Sequence, residues 1–189
     1  MTCCPRCPRG PAGLPGGVNR KGVHTPMLIK EKMLEPLNRQ IAMELFAETQ
    51  YIAIAVYFDT EGLSALASFF YRQAEEEREH AMKFVHYMIE AGATPVIPGL
   101  PAPKNGFASA QEAVELALHH EMKVTESINN LVDLAIENKD HATDTFLRWF
   151  VTEQVEEVDS MTSLLQVIQH AGPHMMWVEN YVRHLVAKA

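Results

Sequence analysis

From Met27 onward, apolar residues recur at alternating steps of three and four residues, in long stretches that contain almost no glycine or proline. This spacing puts the apolar side chains on one face of an α-helix, as in an amphipathic helix that packs against others. No stretch shows the two-residue alternation of a half-buried β-strand. The pattern predicts an all-α protein with five helices, at residues 30–60, 63–91, 109–137, 142–170 and 174–187.

Glycine and proline mark the connections between the predicted helices. Gly62, Gly92 and Gly172 each follow one stretch, and a short polar segment at 138–141 separates the third stretch from the fourth. Residues 93–108 form a long, proline-rich link instead. Short connections make neighbouring helices antiparallel, whereas a link of this length crosses from one end of a bundle to the other. The sequence therefore predicts a four-helix bundle with one long crossover and a short fifth C-terminal helix.

On each long helix, the residues at this spacing form a stripe along the face that is predicted to point into the bundle. The stripe is apolar at both ends and polar in the middle. The polar positions are Glu44 and Glu48 in the first helix, Gln73, Glu77 and His80 in the second, Glu121 in the third, and Gln154 and Glu157 in the fourth. Either these residues face solvent on the flanks of the bundle, or they lie inside it. An unpaired carboxylate inside an apolar core is strongly unfavourable, so buried acids from four helices require cations. The agreement of all four helices favours this second interpretation.

The polar residues also have the spacing of metal ligands. Glu77 and His80 are three residues apart, so they lie on one helical face and can bind one ion together. Gln154 and Glu157 have the same spacing on the fourth helix. Oxygen ligands with one imidazole suit iron, and carboxylates from facing helices can bridge two ions. The stripes therefore predict a metal centre in the middle of the bundle.

Charge is distributed unevenly along the chain. The formal net charge is -8, but residues 1–26 contain four of the 16 lysines and arginines and none of the 24 aspartates and glutamates. The remainder is strongly acidic, which disfavours nucleic acid and attracts cations. At 189 residues the chain has room for one domain of ordinary size. It contains no uninterrupted apolar run near the roughly 20 residues of a membrane-spanning helix.

Residues 1–26 differ in composition from the rest of the chain. They contain Cys3, Cys4 and Cys7, which are all the cysteines, together with half of the glycines. Metal sites of the Cys-x-x-Cys type usually need a second pair, and none follows. We interpret this segment as a disordered extension or as the product of a start codon placed upstream of Met27. The absence of cysteine from residues 27–189 suits a reducing compartment such as the cytoplasm.

Four segments carry a more specific pattern. The first predicted helix contains Glu44 and continues through YIAIAVYFD at 51–59, and the second contains EEREHA at 76–81. The third has the single glutamate Glu121 in its stripe, and the fourth contains EQVEE at 153–157. With these motifs, residues 27–187 resemble the bacterial non-haem ferritins, including their short fifth helix. The resemblance implies a ferritin-like iron-binding domain at 27–189.

The resemblance also implies a set of site residues. A first iron ion would be held by Glu44, Glu77 and His80, and a second by Glu77, Glu121 and Glu157, with Glu77 bridging and Gln154 close by. Tyr51 is expected to hydrogen-bond near the ions and to supply an electron during O2 reduction. The residues implied in catalysis are therefore Tyr51, Glu77 and His80.

Three further acids, Glu76, Glu153 and Glu156, match a third iron site in some of these proteins, or else form a solvated acidic face. Haem is not expected, because Arg78 stands where the related bacterioferritins have their haem-binding methionine. Those proteins also have a second Glu-x-x-His on the fourth helix, where this chain has Gln154 and Glu157. The weaker ligand set predicts that oxidised iron moves on into a store and does not stay as a permanent cofactor.

The function implied by the resemblance is iron storage and detoxification. Two Fe(II) ions per subunit would be oxidised to Fe(III) by O2 or H2O2 at a ferroxidase centre, and the product deposited as mineral inside a closed homo-oligomeric shell, of 24 subunits in this family. The last helix, with Met175, Met176, Trp177, Tyr181 and Leu185, would make contacts around a symmetry axis or simply pack against the bundle. No membrane or nucleic-acid partner is expected.

Three other functions remain open from the residues. A di-iron peroxidase or oxygenase of the same superfamily would keep its metals and act on a small substrate. A DNA-protecting mini-ferritin would use the basic residues of 1–26 as phosphate contacts. A non-catalytic shell subunit would depend on an active partner, although the complete set of ligands in this chain disfavours that interpretation.

Overall fold

The computed structural model describes residues 26–186, with side chains described through His184. Five helices make up most of this part of the chain, and it contains no β-strand. The helices are α1 (Glu31–Thr60), α2 (Ser64–Glu90), α3 (Ala110–Glu137), α4 (His141–Ala171) and α5 (Met175–Val186). Every helix predicted from the sequence is therefore present, with ends that differ by one residue at most. The predicted properties of residues 1–25, including the three cysteines, lie outside the described part.

The helices form the predicted bundle. α1 packs along α2, α3 packs along α4, and α1 also contacts α3. Residues 91–109 connect α2 to α3 without helical structure, as expected for the crossover. Gln50 of α1 fastens this crossover, because its side chain donates to the backbone oxygen of Lys104 and accepts from the backbone nitrogen, at 2.9 Å each. The fold class predicted from the sequence is confirmed.

Local signals explain where the helices begin and end. Ser109 caps α3 by accepting from the backbone nitrogen of Glu112 at 3.1 Å, and Asp140 caps α4 by accepting from that of Thr143 at 3.1 Å. α2 is followed by Gly92, which has a φ of 83°. A Cβ at Gly92 would lie 2.9 Å from the backbone oxygen of Pro26. Glycine is required here both by the backbone conformation and by this close approach.

The apolar core consists of two separate clusters. One contains Phe58, Phe70 and Leu164 and lies towards α5, and the other contains Leu37, Phe84 and Phe150 and lies towards the opposite end. The polar middles of the four stripes occupy the layer between them. The bundle is therefore stabilised by apolar burial at both ends, which leaves its centre available for residues that do not stabilise the fold.

α1 is long and apolar enough to cross a membrane by length and mean hydropathy, although it contains no uninterrupted apolar run of that length. Half of its most apolar window is buried inside the bundle, and buried Glu44 lies on the same helix. A core helix of a bundle meets the same criterion as a membrane span, because both are rich in apolar residues.

α5 packs against α2 and α4 at one end of the bundle. Its Glu179 is buried. Glu179 Oε2 accepts a hydrogen bond from the backbone nitrogen of Ala65, and Glu179 Oε1 accepts one from that of Leu66, each at 2.9 Å. These nitrogens belong to the first turn of α2, which has no cap from its own sequence. Glu179 therefore fixes α5 to the start of α2. Met176 and Trp177 of α5 are exposed.

Candidate metal centre

The layer between the two apolar clusters contains most of the residues predicted as metal ligands. Glu44, Glu77, His80, Glu121 and Glu157 are all buried, with at most 6% of each residue exposed. They come from four different helices, so the bundle brings together residues that are up to 113 positions apart in sequence. The predicted stripe position Glu48 behaves differently, because it is only half-buried at the edge of α1.

Three of the ligands lie within the reach of a single ion. One ligand atom from each of Glu44, Glu77 and His80 is within 4.8 Å of the other two. Within this group, Glu77 Oε2 lies 3.8 Å from His80 Nδ1. Two carboxylates and one imidazole at this spacing match the ligand chemistry of a divalent transition metal ion.

Several ligand atoms in this layer are buried without any hydrogen-bond partner. They are Glu44 Oε2, Glu77 Oε1, His80 Nδ1 and Glu121 Oε2. A buried polar atom without a partner is unfavourable and rare in folded proteins, and here four of them lie in one layer. Bound cations would give these atoms partners, so the residues fit a metal centre.

Burial raises the pKa of the carboxyl groups in this layer. It raises the pKa of Glu44 well above 4.5, and the nearby Glu77 adds to this effect. The pKa of Glu77 is also well above 4.5, because of burial and then of the neighbouring Glu121 and Glu157. Burial, followed by the charge of Glu121, raises the pKa of Glu157 to about 9. Without a cation, Glu157 therefore retains its proton at neutral pH, and burial shifts Glu44 and Glu77 in the same direction, towards the protonated form.

Hydrogen bonds from uncharged side chains orient the acids. Gln40 donates to Glu44 Oε1 at 2.9 Å and accepts from Ser127 at 2.5 Å, and Gln73 donates to Glu157 Oε2 at 3.3 Å. Sequence reasoning did not assign a role to Gln40 or Ser127. The signal available for Gln40 was its position four residues before Glu44, on the same face of α1.

Tyr51 and Gln154 lie beside the acids. The hydroxyl of buried Tyr51 donates a hydrogen bond to Glu121 Oε1. Burial, followed by the charges of Glu121 and Glu77, raises the pKa of this phenol well above 10.0, so Tyr51 keeps its proton. Gln154 is buried and accepts from Thr125 at 2.9 Å, a partner that the sequence did not indicate.

A second group of acids begins where the buried layer opens between α2 and α4. Ligand atoms of His80, Glu153 and Glu157 lie within 4.8 Å of one another. Glu76 and Glu153 are half-buried and Glu156 is exposed, and all three line a cavity of about 440 Å³ next to Glu157. The three acids considered for a third site therefore share one cavity that adjoins the buried layer.

An all-α bundle with carboxylates and a histidine from facing helices in its centre has the arrangement of the four-helix bundles that bind metal ions in their cores. Residues 34–171 match the model of the ferritin-like domain family. Ferritin BfrB of Mycolicibacterium smegmatis is 42% identical over 150 residues, which cover 79% of this chain and 83% of that protein. The bacterial non-heme ferritin of Staphylococcus aureus (strain USA300) is 35% identical over 161 residues, or 85% of this chain and 97% of that protein.

Solved structures agree with the sequence relatives. An open-pore ferritin from the archaeon Archaeoglobus fulgidus superposes with a TM-score of 0.80 at 34% identity, covering 82% of this chain and 97% of that one. The chain belongs to the ferritin family. Membership of this family supports a role in iron storage.

Proposed function

We propose that this protein stores iron by binding Fe(II), oxidising it at a two-iron centre within each subunit, and depositing Fe(III) as mineral inside a hollow shell. The main support is the buried layer of acids from four helices, in which the unpartnered carboxylate oxygens fit a bound cation. In this proposal iron is both the substrate and the stored material.

Glu44, Glu77 and His80 would hold the first iron ion, and their mutual spacing within 4.8 Å supports this assignment. The second ion would be held by Glu77, Glu121 and Glu157, with Glu77 bridging the two. The charges of Glu121 and Glu157 both raise the pKa of Glu77, which supports a shared site for the three carboxyl groups. Gln154 lies next to this second site and would be a weak ligand at most.

Oxidation of two Fe(II) ions delivers two electrons, which reduce O2 to H2O2 or H2O2 to water with the uptake of two protons. Binding of Fe(II) displaces the protons held by the buried carboxyls, so protons are released next to the place where reduction consumes them. When only one Fe(II) ion is bound, Tyr51 would supply the second electron to O2, with its proton passing along the existing hydrogen bond to Glu121, and a later Fe(II) ion would reduce the tyrosyl radical back to the phenol. These roles make Glu77 and His80 ligands and Tyr51 an auxiliary electron donor.

Glu76, Glu153 and Glu156 would form the third iron site and receive iron as it leaves the buried layer. Their place in a cavity that also contains Glu157 supports a short transfer between the two sites. Because Glu156 is exposed and Glu153 half-buried, this site is wetter than the buried layer and would bind iron more loosely. We propose no haem, since Arg78 on the exposed side of α2 offers no haem ligand.

Storage requires an enclosed volume, which one bundle does not have. We therefore propose a cytoplasmic homo-oligomeric shell of 24 subunits, in line with the ferritins that this chain resembles. α5 is fixed to α2 through Glu179 and exposes Met176 and Trp177, so it offers an apolar surface to other copies. This arrangement supports the interpretation that α5 makes contacts between subunits.

A direct test combines assembly, iron content and oxidation rate. Purified full-length protein should elute as a large shell, oxidise Fe(II) within seconds to minutes, and retain far more than two iron ions per subunit after aerobic loading. Glu77→Gln should assemble but lose the rapid oxidation. The matched control is Glu79→Gln, because Glu79 is exposed two residues away on the same helix. A wild-type shell that retains only two ions per subunit would instead indicate a di-iron peroxidase or oxygenase.

A further inference from the structure

His80 belongs to both groups of side chains that could hold a metal ion. Its ligand atoms lie within 4.8 Å of those of Glu44 and Glu77 in the buried layer, and within 4.8 Å of those of Glu153 and Glu157 at its opening. The two ring nitrogens have different neighbours. Nδ1 lies 3.8 Å from Glu77 Oε2, whereas Nε2 lies 3.8 Å from Glu153 Oε1. The imidazole therefore connects the buried layer with the acids at its opening.

These surroundings assign different roles to the two nitrogens. Nδ1 is buried and has no hydrogen-bond partner, so it is available to an ion held together with Glu44 and Glu77. A nitrogen that binds a metal ion must offer its lone pair, and in a neutral imidazole the proton is then on the other nitrogen. With an ion on Nδ1, the proton is therefore on Nε2, next to the carboxylate of Glu153.

Two aromatic rings hold this imidazole without fixing which of its atoms face the buried layer. Trp149 and Phe150 meet it edge to face, with ring centroids 5.5 and 5.8 Å away and interplanar angles of 73° and 77°. An imidazole turned by 180° about its Cβ–Cγ bond has nearly the same shape but carries carbon where the nitrogens were. An acceptor beside Nε2 favours one orientation over the other, because a C–H group is a much weaker donor than N–H.

We propose that Glu153 positions His80 for the first ion by accepting a hydrogen bond from Nε2. In such an arrangement the outer carboxylate fixes the ring and makes the inner nitrogen a better ligand. The distance of 3.8 Å is about 1 Å longer than this bond, and Glu153 is half-buried beside a cavity, which leaves its side chain room to turn and close the gap. The inference rests on the first iron site of the proposed function.

Equilibrium dialysis of the metal-free, full-length protein against Zn²⁺, at less than one ion per subunit, tests the proposal. Glu153→Ala should weaken binding of this ion roughly tenfold or more, as expected when the outer partner of a ligand is removed. Glu153→Gln keeps an acceptor oxygen and should recover part of the affinity. Glu156→Ala separates this role from the third iron site, because Glu156 lines the same cavity but lies outside the group around His80, so it should leave the affinity unchanged.

A double-mutant cycle decides whether Glu153 acts through His80. It is built on Glu156→Ala, so that the third site does not compete for the ion. His80→Ala removes the ring, and adding Glu153→Ala to it should cause no further loss of affinity.

The possible results separate this inference from the proposed function. A further loss as large as that seen with His80 present, an equal loss from Glu156→Ala alone, or no recovery in Glu153→Gln would refute the positioning role and leave the iron site standing. If the wild type binds no zinc, or if His80→Ala binds it as tightly as the wild type, the first iron site is wrong and both proposals fail.

Discussion

Loading the buried layer with a cation should release protons into the solvent. The pKa of Glu157 is about 9 in the empty bundle, so at pH 7.5 roughly 30 copies retain the proton for each ionised copy. With the ordinary value of 4.5, nearly every copy would be ionised. A cation binds the ionised form, so its binding displaces about one proton from Glu157 alone. Burial also raises the pKa of Glu44 and that of Glu77 well above 4.5, so these two carboxyl groups add to the proton release.

The assay is anaerobic titration of metal-free protein with Zn²⁺ in weak buffer at pH 7.5, with a pH indicator and a parallel count of bound zinc. We expect between about one and three protons per subunit when both ions are bound. The release from Glu157 should decline as the pH rises through about 9, because that carboxyl is then already ionised. Exposed Glu79 is the control, since Glu79→Gln should leave the release unchanged.

One result would refute the reasoning. If zinc occupies the layer at pH 7.5 and no protons appear, the acids were ionised before the cation arrived. Burial would then be too weak to keep these carboxyl groups protonated. The empty centre would tolerate several negative charges without a metal. Bound zinc must be measured in the same titration, because a lack of release is informative only when the ions have bound.

Three further predictions concern single residues. Tyr51→Phe removes the hydrogen bond to Glu121, so it should slow Fe(II) oxidation in stopped-flow absorbance while the number of bound ions stays the same; an unchanged rate would exclude an electron-donor role. Glu179→Ala removes the cap of α2 and should cost about 1–3 kcal/mol in thermal unfolding, whereas Glu179→Gln, which keeps an acceptor oxygen, should lose less. Gly92→Ala should also cost about 1–3 kcal/mol because of its positive φ and the backbone of Pro26, and Gly99→Ala, which meets open space, should cost far less.

The sequence was sufficient for the helices and their order. Each long helix has about 30 residues of consistent periodicity and ends at a glycine or a short polar segment, so its limits could be predicted to within one residue. The position of the crossover followed in the same way from its prolines. These features are local, because helical phase and helix-breaking residues act over a few neighbouring positions.

The candidate site was only partly available from the sequence. Periodicity showed that each stripe turns polar in the middle, but it did not distinguish Glu44, which is buried, from Glu48, which is half-buried at the edge of α1. The two lie one turn apart and fit the same stripe within the tolerance of the pattern. Resemblance to the ferritins selected Glu44, and the assignment of ligands stays a prediction until a metal is bound.

Only the tertiary structure decided which groups meet. The hydrogen bond from Ser127 to Gln40 spans 87 positions, and the cap that Glu179 provides for Ala65 spans 114. Arg72 of α2, Ser160 of α4 and Tyr181 of α5 line one cavity for the same reason. The sequence by itself determined the helices and the polar centre of each, because both depend on neighbouring residues. The register between helices depends on the packing of two apolar clusters at opposite ends of the bundle, and no local pattern contains it.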